Sequence, residues 1–319
     1  MSRESWLRRP EGSIVSSGAA TAVLFPGQGA QSVGMAGEWC VANRKAAELF
    51  ALAAELLGYD LLAVCSGGPA DRLNTTAVSQ PAILVTSLAA LEVLRDRDPA
   101  PLEAATVTAG LSLGEYTALV FAGVLSFEDA VRLVDIRGRA MQACANQSPG
   151  GMVAVLGLDR EQVVQVCDAS RGGDVLDVAN VLCPGNIVVS GSAEACRRAE
   201  AAAIAAGAMK CVPLDVAGAF HTQLMEPAVE ALRAALADVR MAPPRIPVVS
   251  NVDARPHADP DEIRGLLARQ VCGVVEWQAS MDQVLSTGVD AVWEVGPGRV
   301  LRGLLKRINR GMACHGVFD

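Results

Sequence analysis

Aromatic residues make up only 4% of this chain, and histidine occurs three times. A core must therefore be built mainly from Ala, Val and Leu. With 51% of residues apolar there are enough of these to exclude disorder over most of the length. Positive charge is also scarce. Lys and Arg number 27 against 35 Asp and Glu, interspersed rather than blocked, for a net charge of −8. No basic stripe is available to track a phosphate backbone, so no nucleic-acid partner is expected. Apolar runs are short: none approaches eighteen uninterrupted residues, and no membrane span is expected. The nine cysteines form no CxxC pair and follow no regular spacing, which points to a reduced, cytoplasmic setting without disulfides or a metal site. Cys144, Cys167, Cys183 and Cys196 read as apolar core filler. Residues 1–20 carry Arg3, Arg8 and Arg9 but no apolar run of signal-peptide length, and read as a frayed leader; a cleaved organelle peptide is the alternative.

At 319 residues the chain exceeds an average domain, although one large α/β domain absorbs much of that length. A strand is predicted at Ala22–Phe25, stopped by Pro26-Gly27. Helical spacing follows at Asn43–Leu57 and Gln80–Arg95, and a buried strand at Ala105–Ala109. That strand runs through Gly110-Leu111-Ser112-Leu113-Gly114 into a helix from Glu115, the βα unit of a parallel sheet. Composition shifts near Asn146–Gly151. Beyond it the order is strand (Met152–Gly157), helix (Arg160–Ala169), strand (Val175–Asn180), strand (Ile187–Ser190), helix (Ala193–Ala206), strand (Lys210–Leu214). This βαββαβ order is ferredoxin-like and reads as an insertion into a larger domain. The larger domain then resumes with a helix at Leu224–Ala237, a strand at Ile246–Ser250, a helix at Asp261–Val271, a strand at Ala291–Val295 and a closing helix at Val300–Arg310. The expected division is a leader at 1–20, a catalytic domain from 21–147 and 215–319, and an inserted unit at 148–214.

Gly110-Leu111-Ser112-Leu113-Gly114 fits G-x-S-x-G, in which small residues let strand and helix pass closely while the serine is held clear of the backbone. The helix start also aims free N–H groups at a developing oxyanion, with the Leu113 amide placed as one donor. A serine nucleophile needs a base. His315 is near the C-terminus and His257 is in a Pro/Asp-rich loop, and both are expected to be solvent-exposed. His221, after an apolar segment and before Thr222, is the best placed. For the group that orients it, Asp215 and Asp253 are candidates by proximity to predicted strand ends, and a backbone carbonyl is the alternative.

Further motifs occur in order: Phe25-Pro26-Gly27-Gln28-Gly29-Ala30-Gln31, Arg137-Gly138-Arg139-Ala140-Met141-Gln142, Gly218-Ala219-Phe220-His221, Asn251-Val252-Asp253 and Glu294-Val295-Gly296-Pro297-Gly298. With the serine motif they resemble malonyl-CoA:acyl carrier protein transacylases from Thr21 to Arg310. The resemblance implies an α/β-hydrolase-like domain with a parallel sheet plus a ferredoxin-like subdomain. It also implies Ser112 as nucleophile, His221 as base, the Gln28 and Leu113 amides as oxyanion donors, and the Gln270 main-chain carbonyl as holder of the imidazole. Arg137 corresponds to the arginine that binds the substrate carboxylate, a planar fork matched to a planar anion. Phe220, Gln80 and Met141 correspond to pocket positions, with the Phe220 ring crowding an α-methyl branch. Arg132 and Arg139 are expected on the helix surface. The family most often has His before the nucleophile, whereas this chain has Leu111, and Leu182 stands where relatives often have Asn.

The implied activity is ping-pong malonyl transfer from malonyl-CoA to the phosphopantetheine thiol of acyl carrier protein, for fatty-acid or polyketide synthesis. It needs no metal and no cofactor, and the protein is expected to be monomeric. Two rivals stand beside it. A hydrolase of the same family would pass the acyl group to water, typically with the arginine replaced, and a non-catalytic docking protein would not need Ser112, His221 and Arg137 together.

Overall fold

In the computed structural model, residues 19–317 are described; the leader expected at 1–20 lies almost wholly outside them. Among the described residues, ten strands form two sheets. They are β1 (Thr21–Phe25), β2 (Ala105–Gly110), β3 (Gly150–Leu156), β4 (Leu176–Cys183), β5 (Asn186–Ser192), β6 (Lys210–Pro213), β7 (Val248–Val249), β8 (Pro256–His257), β9 (Ala291–Glu294) and β10 (Cys314–Gly316). The larger sheet runs β10-β9-β1-β2-β7-β8, all parallel except the edge pair β7–β8. The smaller runs β4-β5-β3-β6, wholly antiparallel, which is the ferredoxin-like order.

Strand β1 is buried at every position because helices cover both faces of the parallel sheet. Its side chains alternate: Val23 and Phe25 join the main core, while Ala22 and Leu24 join a second core on the opposite face. Strand β3 divides in the same way. Met152 and Ala154 reach the main core, whereas Val153 and Val155 pack under the helices Arg160–Arg171 and Ala193–Ala205. The small sheet is thus joined to the large unit through a shared apolar face.

The helix Thr76–Arg97 is long and apolar enough to cross a membrane, but 83% of its apolar window is buried inside the protein. It is a core helix, apolar nearly all round because protein surrounds it. It begins at Thr76, four residues before the predicted start, with Pro81 in its interior. Thr76, Ser79 and Gln80 are buried polar residues of this helix.

Other departures have local causes. The helix predicted from Leu224 opens as a 3₁₀ turn, Gln223–Met225, because Pro227 fits only the first turn of the α-helix Glu226–Ala237. The strand predicted at Ile246–Ser250 is two residues long in β7. The helix from Val300 ends at Ile308 and is not the last element; the chain returns as β10 to extend the sheet beside β9. Neither His257 nor His315 is solvent-exposed as expected. His257, in β8, is bracketed by Asp253 and Glu262, and His315, in β10, stacks on Trp293 at 5.1 Å. Cys144, Cys167, Cys183 and Cys196 are buried free thiols.

Candidate active site

Strand β2 ends at Gly110 and the helix Gly114–Phe121 starts four residues later. The turn between them is too tight for side chains at its two glycines. A Cβ on Gly110 would lie 1.9 Å from the Gly114 carbonyl carbon, and one on Gly114 would lie 2.2 Å from the Phe25 oxygen. Ser112 therefore sits in the left-handed region at φ 47°, a conformation costing a serine about 1–3 kcal/mol. Asn251 braces it. Its side-chain oxygen accepts the Ser112 N–H at 2.6 Å, and its amide nitrogen donates to the Gly110 oxygen at 2.8 Å.

His221 is 95% buried and also left-handed, at φ 60°, which turns its ring toward the serine. Nε2 lies 3.0 Å from Ser112 Oγ, and Nδ1 lies 2.9 Å from the Gln270 main-chain oxygen. A carbonyl only accepts, so Nδ1 carries the proton and Nε2 offers its lone pair to the serine hydroxyl. The alternatives raised for this role are corrected: Asp215 is exposed, and Asp253 bonds His257 instead. Both acids flank the region in sequence, but their strand ends do not aim them at the imidazole.

Burial, and secondarily the Arg137 cation, push the His221 pKa down to about 4. A base must be neutral to accept a proton, so a lowered value keeps it competent in acid. The second-order acylation rate, which reports the free enzyme, is expected to stay flat from about pH 7 to about pH 5 and to halve only near pH 4. Stopped-flow acylation across pH tests this; a half-point near 6.5 would show an imidazole exposed to water.

Arg137 is 98% buried, on the inner face of the helix Phe127–Gln147. Nη1 donates to Gln80 Oε1 at 2.7 Å, and Nη2 donates to Gln270 Oε1 at 3.0 Å and to Ser112 Oγ at 3.2 Å. Its guanidinium also lies over the Tyr116 ring at 5.6 Å. No carboxylate pairs with it among the described residues, and its Nε has no partner among them. A buried cation in that state is poised for an anionic ligand. Gln80 in turn donates to Met141 Sδ at 3.5 Å, so both residues support the guanidinium. Phe220, also buried, joins the main core with Met141. Arg132 and Arg139 lie on the outer face of the same helix, paired with Asp129 and Asp135.

No hydrogen bond within the described residues uses the amide of Gln28 or of Leu113. Among the described residues no group of three or more His, Cys, Asp and Glu is arranged to hold a metal ion. Sequence reasoning assigned no role to Asn251 or Glu115. Glu115 is buried, and Oε2 accepts from the Asn251 main-chain N–H at 3.1 Å and from Gln270 Nε2 at 2.7 Å. Burial pushes its pKa up to about 7. A carboxylate just after a nucleophile-motif glycine was the available signal, but in a first helical turn it reads as an ordinary dipole partner.

Together the groups provide an activated hydroxyl, a base held in one tautomer, and a cation on the serine oxygen itself. That arrangement suits acyl transfer from an ester or thioester that also carries an anion.

The acyl transferase domain profile matches residues 23–310. The malonyl CoA-acyl carrier protein transacylase of Salmonella typhimurium is 44% identical over 287 residues, covering 90% of this chain and 92% of that protein. The malonyl-CoA:acyl carrier protein transacylase structure from Xanthomonas oryzae superposes with a TM-score of 0.90 at 40% identity, covering 96% of each chain. A malonyl transacylase solved in complex with its type II PKS acyl carrier protein gives a TM-score of 0.90 at 39% identity, covering 94% of this chain and 96% of that one.

Proposed function

Because this chain belongs to the acyl transferase family, among the malonyl-CoA:acyl carrier protein transacylases, we infer that it moves a malonyl group from malonyl-CoA to the phosphopantetheine thiol of acyl carrier protein. It does so as a cytoplasmic enzyme. The reading assigns the chemistry to Ser112. His221 Nε2 takes the hydroxyl proton as Oγ bonds to the thioester carbonyl carbon, and the resulting oxyanion is received by the Gln28 and Leu113 amides. The carbon–sulfur bond then breaks, the departing thiolate takes the proton from His221, and malonyl-Ser112 remains. The carrier thiol reverses the sequence: it gives its proton to His221, its sulfur attacks the ester, and Oγ leaves and is reprotonated. The chemistry requires no metal or redox cofactor.

The observation that carries this reading is the position of Arg137, with Nη2 3.2 Å from the oxygen that also lies 3.0 Å from the His221 ring. A malonyl carboxylate is one carbon removed from the thioester carbonyl, so a cation beside the nucleophile selects an acyl group with an anion close to its reacting carbon. The same cation donates to the nucleophile, so a carboxylate that competes for it frees the serine lone pair for attack.

Transfer is separated from hydrolysis by following the acyl-enzyme. Malonyl-enzyme freed of malonyl-CoA is expected to persist for minutes in buffer and to empty on addition of carrier protein bearing its phosphopantetheine thiol. Spontaneous loss to water at the same rate with and without carrier would assign the site to a hydrolase.

A further inference from the structure

Gln270 has two separate attachments to the site. Its main-chain oxygen holds His221, while its side chain reaches in three directions. Nε2 donates to Glu115 Oε2 at 2.7 Å and to the Ser112 main-chain oxygen at 3.0 Å, and Oε1 accepts from Arg137 Nη2 at 3.0 Å. These partners fix which end of the amide faces which neighbour, because the carboxylate and carbonyl accept and the guanidinium only donates. The amide turned over would present N–H to the guanidinium, two donors face to face. Of the two acceptors that hold Nε2, the Ser112 oxygen already takes the Glu115 main-chain N–H. The carboxylate is the shorter, charge-assisted contact and has the greater hold on the amide.

We propose that Glu115 is a positioning residue for malonyl recognition: it orients the Gln270 side-chain amide so that Oε1 faces Arg137 and aims the guanidinium at the substrate carboxylate. This rests on the assignment of Arg137 as the carboxylate clamp. Glu115 never touches substrate; its effect passes through one amide. The same Oε2 accepts the Asn251 N–H, and the Asn251 side chain grips Ser112 and Gly110, so one oxygen ties the clamp to the turn that carries the nucleophile. A neutral carboxyl in this position still accepts through Oε2, so the positioning does not require a full negative charge.

The test compares malonyl-CoA with acetyl-CoA, which lacks the carboxylate, in the full-length enzyme. Glu115→Met keeps volume but removes the acceptor. It is expected to lower kcat/KM for malonyl-CoA about 10- to 100-fold, mostly through KM, and the acetyl-CoA value by roughly tenfold less, the shared part being the loosened Asn251 brace on the serine turn. Glu115→Gln keeps an acceptor oxygen and is expected to restore malonyl preference to within about threefold of the unaltered protein. Gln270→Met should reproduce the loss, and the double variant should be no worse than the larger single effect, because both changes break one chain of contacts. Gln270→Met also serves if Glu115→Met does not fold.

Equal loss toward both substrates would make Glu115 a structural support of the serine turn and overturn the proposal. So would unchanged malonyl preference in Glu115→Met and Gln270→Met, or a Glu115→Gln variant as impaired as Glu115→Met. Failure of malonyl-CoA to acylate the unaltered enzyme would instead refute the functional assignment on which the proposal rests.

Discussion

Ser112→Ala is expected to lower malonyl transfer by about four to six orders of magnitude and to leave no acyl-enzyme at all. The serine oxygen is where the whole site converges. It lies 3.0 Å from the His221 base and 3.2 Å from the Arg137 guanidinium, at the tip of a turn whose glycines admit no Cβ. In the proposed mechanism neither half-reaction has a nucleophile or a leaving group without Oγ, and a ping-pong site offers no route that brings the two substrates together directly. The fold should survive. Asn251 holds the main chain of residues 110 and 112, not the hydroxyl, and alanine meets the same left-handed backbone that serine does. Steady-state transfer together with thermal unfolding checks both points. Appreciable turnover by a folded Ser112→Ala protein would remove the covalent mechanism.

Replacing Arg137 is expected to change which acyl group the enzyme accepts. Two charge-assisted hydrogen bonds to a carboxylate contribute about 1.5–3 kcal/mol each. Arg137→Met should therefore lower kcat/KM for malonyl-CoA by roughly two to four orders of magnitude. Acetyl-CoA makes neither bond and should react at least as well as before, so the preference for the carboxylated substrate should collapse or invert. Methionine fills much of the space at this 98% buried position and avoids the larger cavity of alanine. Arg137→Lys should fall between, since an ammonium keeps the charge but lacks the planar fork that spans Gln80 and Gln270. The pH profile offers a second readout. Arg137 is one of the two causes that lower the His221 pKa, so the acid limb of Arg137→Met should move upward from about 4 while burial continues to hold it below the ordinary imidazole value. Parallel losses toward malonyl-CoA and acetyl-CoA would show that the guanidinium supports the site without reading the substrate.

Sequence and structure agree best where steric demands are local. Gly110-x-Ser112-x-Gly114 is legible because a tight strand-to-helix turn leaves no room for side chains, and that requirement is written at fixed spacing. His221 is legible by scarcity, as one of three histidines. Strand β1 is legible as a continuous apolar run stopped by Pro26-Gly27, and the βαββαβ order as alternating strand and helix patterns. The group that holds His221 is a different case. A main-chain carbonyl has no residue signature, so position alone suggested Asp215 and Asp253, and only family resemblance pointed to Gln270. Arg137, Arg132 and Arg139 share one helix, and helical spacing does not tell which of three arginines is swallowed by the core. Glu115 is hidden for the same reason: its partners Asn251 and Gln270 lie more than a hundred residues away. The two-residue strands β7 and β8 and the edge strand β10 are too short to carry a period, and their pairing is decided by neighbours in the sheet.

The most direct measurement is peptide mapping by mass spectrometry after brief incubation with malonyl-CoA and removal of excess. One malonyl ester is expected, on the peptide containing Ser112, absent from Ser112→Ala and discharged by the carrier thiol. A malonyl group on any other residue, or one retained by the Ser112→Ala protein, would contradict the assignment of this hydroxyl as the point through which the acyl group passes.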